Sequence, residues 1–187
     1  MSSRVVIERI ATEEVLRSGA TAEDLTFVEQ FGATSRRCEV LAWRALVRRE
    51  LGECQISHDE YGAPMVDIEG TYISVSHSRD CVALVVSDCS CAIDIESVER
   101  NFRGVASRYL SSAEQIIAEK HDLYAEMWCA KEALYKYHRK GGVDYVEQIS
   151  ILDYDAEHQL FKASICGGEP VVVRLKREDN HSIALIG

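Results

Sequence analysis

The sequence predicts an α+β fold built as two similar halves, residues 1–97 and 98–187, each with helices packed on a small antiparallel sheet. Three observations predict it. Each half runs from helical periodicity into a set of short strands, and short polar turns separate those strands as in a meander. At 187 residues and 47% hydrophobic, the chain can bury a proper core as one compact unit, expected to act as a monomer. No residue-level repeat is visible, so the likeness of the halves is one of element order.

Residues 4–10 open the chain as a strand, and a helix lies within residues 13–30. A second helix spans residues 35–51, carrying Val40, Leu41, Ala45, Leu46 and Val47 among Arg36, Arg37, Arg44, Arg48 and Arg49. Tyr61-Gly62-Ala63-Pro64 is a turn. Residues 71–77, 81–87 and 91–96 form three strands joined by Arg79-Asp80 and Asp88-Cys89-Ser90, an antiparallel meander that closes the first half. Ser111-Ser112-Ala113-Glu114 reads as a capping box, a hydroxyl followed three residues later by Glu, and starts a helix toward Lys120. Another helix runs over residues 123–140 and stops at Gly141-Gly142. Residues 149–152, 160–165, 171–176 and 182–186 supply the second set of strands.

A formal net charge of −10 argues against nucleic acid as a partner, because phosphate backbones demand a basic surface. The chain contains no run of about 18 apolar residues, and its start lacks the long apolar stretch of a signal peptide, so a cytoplasmic protein without membrane association is expected. Seven cysteines in no framework spacing fit reduced thiols. Cys89 and Cys91, with no second Cys/His pair at zinc spacing, read as small strand and turn residues.

The chemistry begins at Ala92-Ile93-Asp94-Ile95-Glu96. Side chains alternate across a strand, so Asp94 and Glu96 share one face while the isoleucines pack on the other. Two such acids form either a solvated sheet face or a site for a hard cation such as Mg2+ in phosphate chemistry. On the helix over residues 123–140, Leu123, Met127, Ala130, Leu134 and Tyr137 form one stripe, with Glu132 opposite and Trp128 and Lys136 beside Glu132. An exposed Glu132–Lys136 pair is the plain alternative, but a tryptophan opposite the core stripe implies that this face is covered too, by the other half of the protein or by a ligand. His77, ending Ser74-Val75-Ser76-His77-Ser78, can donate to a phosphate or pass a proton to a leaving oxygen, or be structural. Arginines clustered in an acidic protein form either a solvated face or a hold for a polyphosphate or an acidic partner.

In this order, Tyr61-Gly62-x-Pro64, Ser74-Val75-Ser76-His77-Ser78, Ala92-Ile93-Asp94-Ile95-Glu96 and Trp128-x-x-Lys131-Glu132-Ala133-x-x-Lys136 resemble the 4′-phosphopantetheinyl transferase superfamily, in particular its larger surfactin-synthetase and enterobactin type. Arg36-Arg37-x-Glu39-x-x-Ala42-x-Arg44 is similar to the arginine-rich segment of the enterobactin-type members. The resemblance implies two similar halves around a cleft that holds coenzyme A and Mg2+. It implies transfer of the phosphopantetheine arm to a serine of an apo acyl or peptidyl carrier protein, with release of adenosine 3′,5′-bisphosphate. Carried over by position, Asp94, Glu96 and Glu132 would hold Mg2+, Glu132 would also act as base, and Lys136 would neutralise phosphoryl oxygens. Ser76 and His77 would bind the pyrophosphate region, with His77 assisting the departing phosphate, and Lys131 would support coenzyme A binding. Ala63 stands where the family often has a lysine for the 3′-phosphate, which makes Arg36 and Arg37 the expected replacements. Ala92 stands where Gly is usual. Glu114 also matches a family acid, although the capping box accounts for it. A non-catalytic module binding coenzyme A or a carrier protein is the alternative on the same fold.

Overall fold

In the computed structural model, which describes residues 3–187, the chain runs β1 (Ser3–Arg9), α1 (Glu13–Ser18), α2 (Ala22–Val28), α3 (Thr34–Leu51), β2 (Ile56–His58), β3 (Pro64–Val66), β4 (Tyr72–His77), β5 (Cys81–Ser87) and β6 (Ala92–Ser97). A 3-10 turn (Arg103–Arg108), α4 (Ser112–His121), α5 (Tyr124–His138), β7 (Ile149–Asp155), β8 (Leu160–Ile165), β9 (Val171–Glu178) and β10 (His181–Ile186) complete it. Met1 and Ser2, included in the first half by the sequence, lie outside the described residues.

The helix expected within residues 13–30 is two helices. Gly19 caps α1, and the Thr21 hydroxyl accepts the Asp24 N–H at 3.1 Å, so a second N-terminus forms before the first helix could continue. The turn at Tyr61–Pro64 joins the short hairpin β2–β3. The Asp59 carboxylate accepts the N–H groups of Tyr61 and Ala63, and Gly62 takes the positive φ of 84° that the reversal requires. The capping box at Ser111 and Glu114 forms with both reciprocal bonds, and α5 ends in a left-handed Arg139 ahead of the two glycines.

Three antiparallel sheets result: β1-β5-β4, the hairpin β2-β3, and the five-stranded β6-β10-β9-β8-β7. The expected meander over residues 71–96 is therefore corrected in its third strand, because β6 pairs antiparallel with β10 rather than with β5. The turn after β5 instead returns the chain beside β4. There the hydroxyls of Ser74, Ser76 and Ser78 accept the N–H groups of Ile93, Ile95 and Ser97 at 3.2, 3.3 and 3.0 Å. Alternate β4 side chains thus stand in for the backbone carbonyls of a ladder, along two strands running in the same direction. The sheet edge crosses the boundary drawn at residue 97.

Each large sheet carries its own helix layer. Val40, Leu41, Trp43, Leu46 and Val47 of α3 pack with Ile73, Val82 and Leu84, whereas Met127, Ala130 and Leu134 of α5 pack with Ile149, Phe161, Val173 and Ala184. A third apolar cluster lies between the sheets, with Ile93 and Ile95 against Cys81, Ala83, Val85 and Ile183. The two large sheets are unequal, three strands against five, and three helices precede the second sheet's first strand whereas two follow it.

The buried charges of Asp24, Arg44, Glu114 and Lys131 are met by opposite charges. Arg44, 1% exposed, binds Asp24 and Glu23, and Arg48 donates to the same Asp24 at 2.9 and 3.1 Å. Burial pushes the Asp24 carboxyl up, but the hydrogen bonds from Arg48 and Arg44 outweigh it and hold it near 2. These arginines fix α2 to α3. In the second unit Lys131, 0% exposed, donates to Glu114 at 2.9 Å and to the carbonyls of Tyr145 and Ile149 at 2.8 and 2.7 Å. Glu114, besides closing its cap, accepts the Ile151 N–H at 2.8 Å. One ion pair thus ties α4, α5, the following loop and β7 together.

Candidate active site

A cleft of about 540 Å3 opens between α3 and β4 on one side and β6 and α5 on the other, with the β2–β3 turn completing its wall. The alternation along β6 explains what faces it. Asp94 and Glu96 line the cleft, and Ile93 and Ile95 point into the cluster between the sheets. From α5, Glu132 and Lys136 enter one turn apart, on the side away from the Met127–Leu134 stripe.

The i,i+4 pair between Glu132 and Lys136 does not form. Lys136 Nζ reaches across to Asp94 Oδ1 at 2.8 Å and to the carbonyl of Ile93 at 3.0 Å. Glu132 Oε1 accepts from the Tyr145 hydroxyl at 2.9 Å. Burial raises the pKa of Glu132, and the Asp94 charge adds to the effect. Glu96 Oε1 accepts from Arg100 and, at 3.2 Å, from Trp128 Nε1. Trp128 stacks on Tyr145 and meets Tyr109 edge-on, so the face opposite the core stripe is covered, by residues of this same unit.

Asp94 Oδ1 also accepts from the Ser76 hydroxyl at 2.8 Å, whereas Asp94 Oδ2 is buried without a partner. That orphaned oxygen, the crowding of Asp94 against Glu132, and donors that are all carboxylates suit a hard divalent cation. Asp94, Glu96 and Glu132 line one cleft, but their oxygens do not gather within 4.8 Å of one another; among the described residues Asp80, Cys81 and His181 do so elsewhere. Lys136 and Arg100 already neutralise two of the three acids.

On the opposite wall His77 Nε2 lies 2.7 Å from Arg36 Nη1, and Arg36 also pairs with Glu39 at 3.1 Å. Arginine can only donate, so Nε2 accepts and the ring proton sits on Nδ1. Burial lowers the His77 pKa, which keeps this neutral form at pH 7. Ser76 lines the cleft, but its hydroxyl already accepts from Ile95 and donates to Asp94, so it fixes β6.

Two residues expected to contact coenzyme A are engaged elsewhere in the structure. Arg37 is spent on Glu13, on Thr34 and on the carbonyls of Phe31 and Gly32, away from the cleft that Arg36 lines. Lys131 is the buried cation described above, with three acceptors and no exposed surface. Sequence reasoning missed Tyr145, which holds Glu132 from a loop without periodicity, and the cleft-lining Tyr135, Arg139 and Lys140. Lys140 follows Lys136 at i+4, a spacing that could have found it.

Residues 90–185, about half of the chain, match the family model of the 4′-phosphopantetheinyl transferase superfamily, and the chain belongs to that superfamily. The matched stretch contains Asp94, Glu96, Glu132 and Lys136; Arg36, Ser76 and His77 precede it. No curated protein matches the chain.

Proposed function

We propose that this protein transfers the 4′-phosphopantetheine arm of coenzyme A to a serine of an apo acyl or peptidyl carrier protein. One observation carries the reading: Asp94, Glu132 and Lys136 converge in a single cleft from β6 and α5, with one buried Asp94 oxygen left unpartnered. Superfamily membership supports the reaction class.

In this mechanism the carrier serine oxygen forms a bond to the phosphorus that bears pantetheine. The bond from that phosphorus to the bridging oxygen breaks, and adenosine 3′,5′-bisphosphate leaves. Glu132 accepts the serine proton, helped by a pKa already raised through burial and by an orientation held by the Tyr145 hydroxyl. Lys136 brings its ammonium to the phosphoryl oxygens, the role for which a mobile point charge suits. His77 Nδ1–H donates to the departing phosphate, with Arg36 beside it adding positive charge. Asp94, Glu96 and Glu132 would hold Mg2+, which when bound supplies charge stabilisation on the pyrophosphate. Arg36, Arg139 and Lys140 are the cations in the cleft wall available to the 3′-phosphate in place of a lysine at Ala63.

The test is mass spectrometry of an apo carrier protein incubated with this protein, coenzyme A and Mg2+. The expected result is a gain of one phosphopantetheine arm, lost with Glu132→Gln while coenzyme A still binds. Binding of coenzyme A without any mass gain on carriers from fatty-acid, polyketide and peptide assembly would favour a non-catalytic module.

A further inference from the structure

Away from the cleft, the turns that end two hairpins meet. β4–β5 reverses at residues 78–81 and β9–β10 at residues 178–181, and the two turns bring Asp80, Cys81 and His181 within 4.8 Å of one another as ligand atoms. His181 Nε2 lies 3.0 Å from Asp80 Oδ1. All three side chains line a separate cavity of about 160 Å3 that shares no residue with the cleft. Its floor is apolar, with Ile7, Ile95 and Ile183, and its rim carries Glu8, Arg9, Glu178 and Asp179. A cavity of that size has room for a metal ion and water, each water filling about 30 Å3.

We propose that Asp80, Cys81 and His181 form a site for a borderline divalent cation, Zn2+ foremost. The donors decide the class. One sulfur, one imidazole nitrogen and one carboxylate oxygen suit Zn2+ at four-coordinate geometry, whereas Mg2+ and Ca2+ take oxygen ligands almost exclusively. The fourth position belongs to water. The burial also fits: Cys81 is 4% exposed and His181 largely covered, while Asp80 sits half-exposed at the mouth, giving an entry path. Binding converts the Cys81 thiol to a thiolate and releases its proton, and the imidazole binds through the nitrogen now facing Asp80.

The position gives the ion a mechanical consequence. Cys81 begins β5, beside Arg9 of β1, and His181 begins β10, beside Ser97 of β6, so the ion clamps the first sheet to the second. The clamped turn begins one residue after His77, because the Ser78 N–H bonds to the Cys81 carbonyl at 2.9 Å. The reaction cleft is untouched by the ligands themselves.

The experiment uses the full chain, stripped with chelator, reduced, and titrated with Co2+ and then Zn2+. Cobalt is expected to give a near-ultraviolet thiolate charge-transfer band of one equivalent, displaced by Zn2+. At a hundredfold excess over its Kd, Zn2+ is expected to raise Tm by about 5–10 °C. Cys81→Ser should abolish the band. Asp80→Asn, a change at a half-exposed side chain, should keep the fold and weaken Zn2+ binding at least about tenfold, as loss of ligand or supporting contacts does. Absence of the band in the folded protein, a band that survives Cys81→Ser, or Zn2+ affinity unchanged in Asp80→Asn would each overturn the proposal.

Discussion

Replacing Lys131 by Met tests whether this motif lysine serves as an internal strut or as a ligand contact. The methionine keeps the volume and removes three donated bonds, leaving Glu114 with a buried charge whose remaining partners are the N–H groups of Ser111 and Ile151. Burial lowers the Lys131 pKa, and the Glu114 partner offsets part of that; the ammonium is retained because it is paired. Breaking a buried pair from one side costs about 3–5 kcal/mol. For a chain of this length that lowers Tm by about 6–20 °C and the urea midpoint by about 1–3 M. The assay is urea unfolding followed by tryptophan fluorescence, with coenzyme A binding measured at low temperature where the variant is still folded. An unchanged m-value, a lowered midpoint and a coenzyme A Kd within about twofold of the original are expected. A variant of unchanged midpoint that binds coenzyme A poorly would refute the assignment and return Lys131 to the cleft.

Other outcomes follow from the same geometry. Arg36→Ala should raise the KM for coenzyme A by roughly ten- to a hundred-fold, the worth of one charge-assisted contact, with less effect on dephospho-coenzyme A; Arg37→Ala should leave both KM values in place, and equal losses for the two variants would contradict their separation. Asp24 is depressed from 3.8 to about 2 in the folded protein, so its contribution is present above pH 4 and lost as pH falls through 3.8 toward 2. The shift corresponds to about 2 kcal/mol, and Asp24→Asn should remove that acid-dependent loss while lowering stability at neutral pH; a parallel pH dependence in variant and parent would count against it. The seven thiols are free, and Cys166 is exposed while Cys81, Cys91 and Cys129 are buried. Burial pushes the Cys81 and Cys91 thiols up to about 11, so at pH 8 a thiol reagent should modify Cys166 first and those three only after denaturation; early labelling of Cys129 would show that α5 opens locally.

The parts of this fold written in local pattern were readable from sequence. α3, α5 and the strands β7 to β10 follow their apolar periods, and the period-two placement of Asp94 and Glu96 sets both on one strand face, the face that lines the cleft in the structure. What escaped was non-local. Nothing in residues 92–97 distinguishes pairing with β5 from pairing with β10, since either partner would satisfy the same alternation. Three-residue strands such as β2 and β3 leave too short a pattern to read. The wheel of α5 set Lys131 away from Glu132, yet only the packing of α4 and β7 reveals that Glu114 awaits it there. Tyr145 lies in an aperiodic loop, so its grip on Glu132 has no signature in spacing.

The seam of serines along β4 makes the relation between the two sheets a matter of register. Only three hydroxyls line the seam, so a two-residue slip, about 6.6 Å, would set Tyr72 or Asp80 against one of the three N–H groups, and a one-residue slip would face them with Ile73, Val75 and His77 instead. Small sliding motions between the sheets are therefore resisted by three bonds at once, and the spacing between His77 on one strand and Asp94 on the other is indexed like teeth on a rack. The same seam hides two strand edges from foreign chains. A fragment beginning near residue 90 would expose the N–H groups of Ile93, Ile95 and Ser97 as an open edge and would be prone to pair with itself.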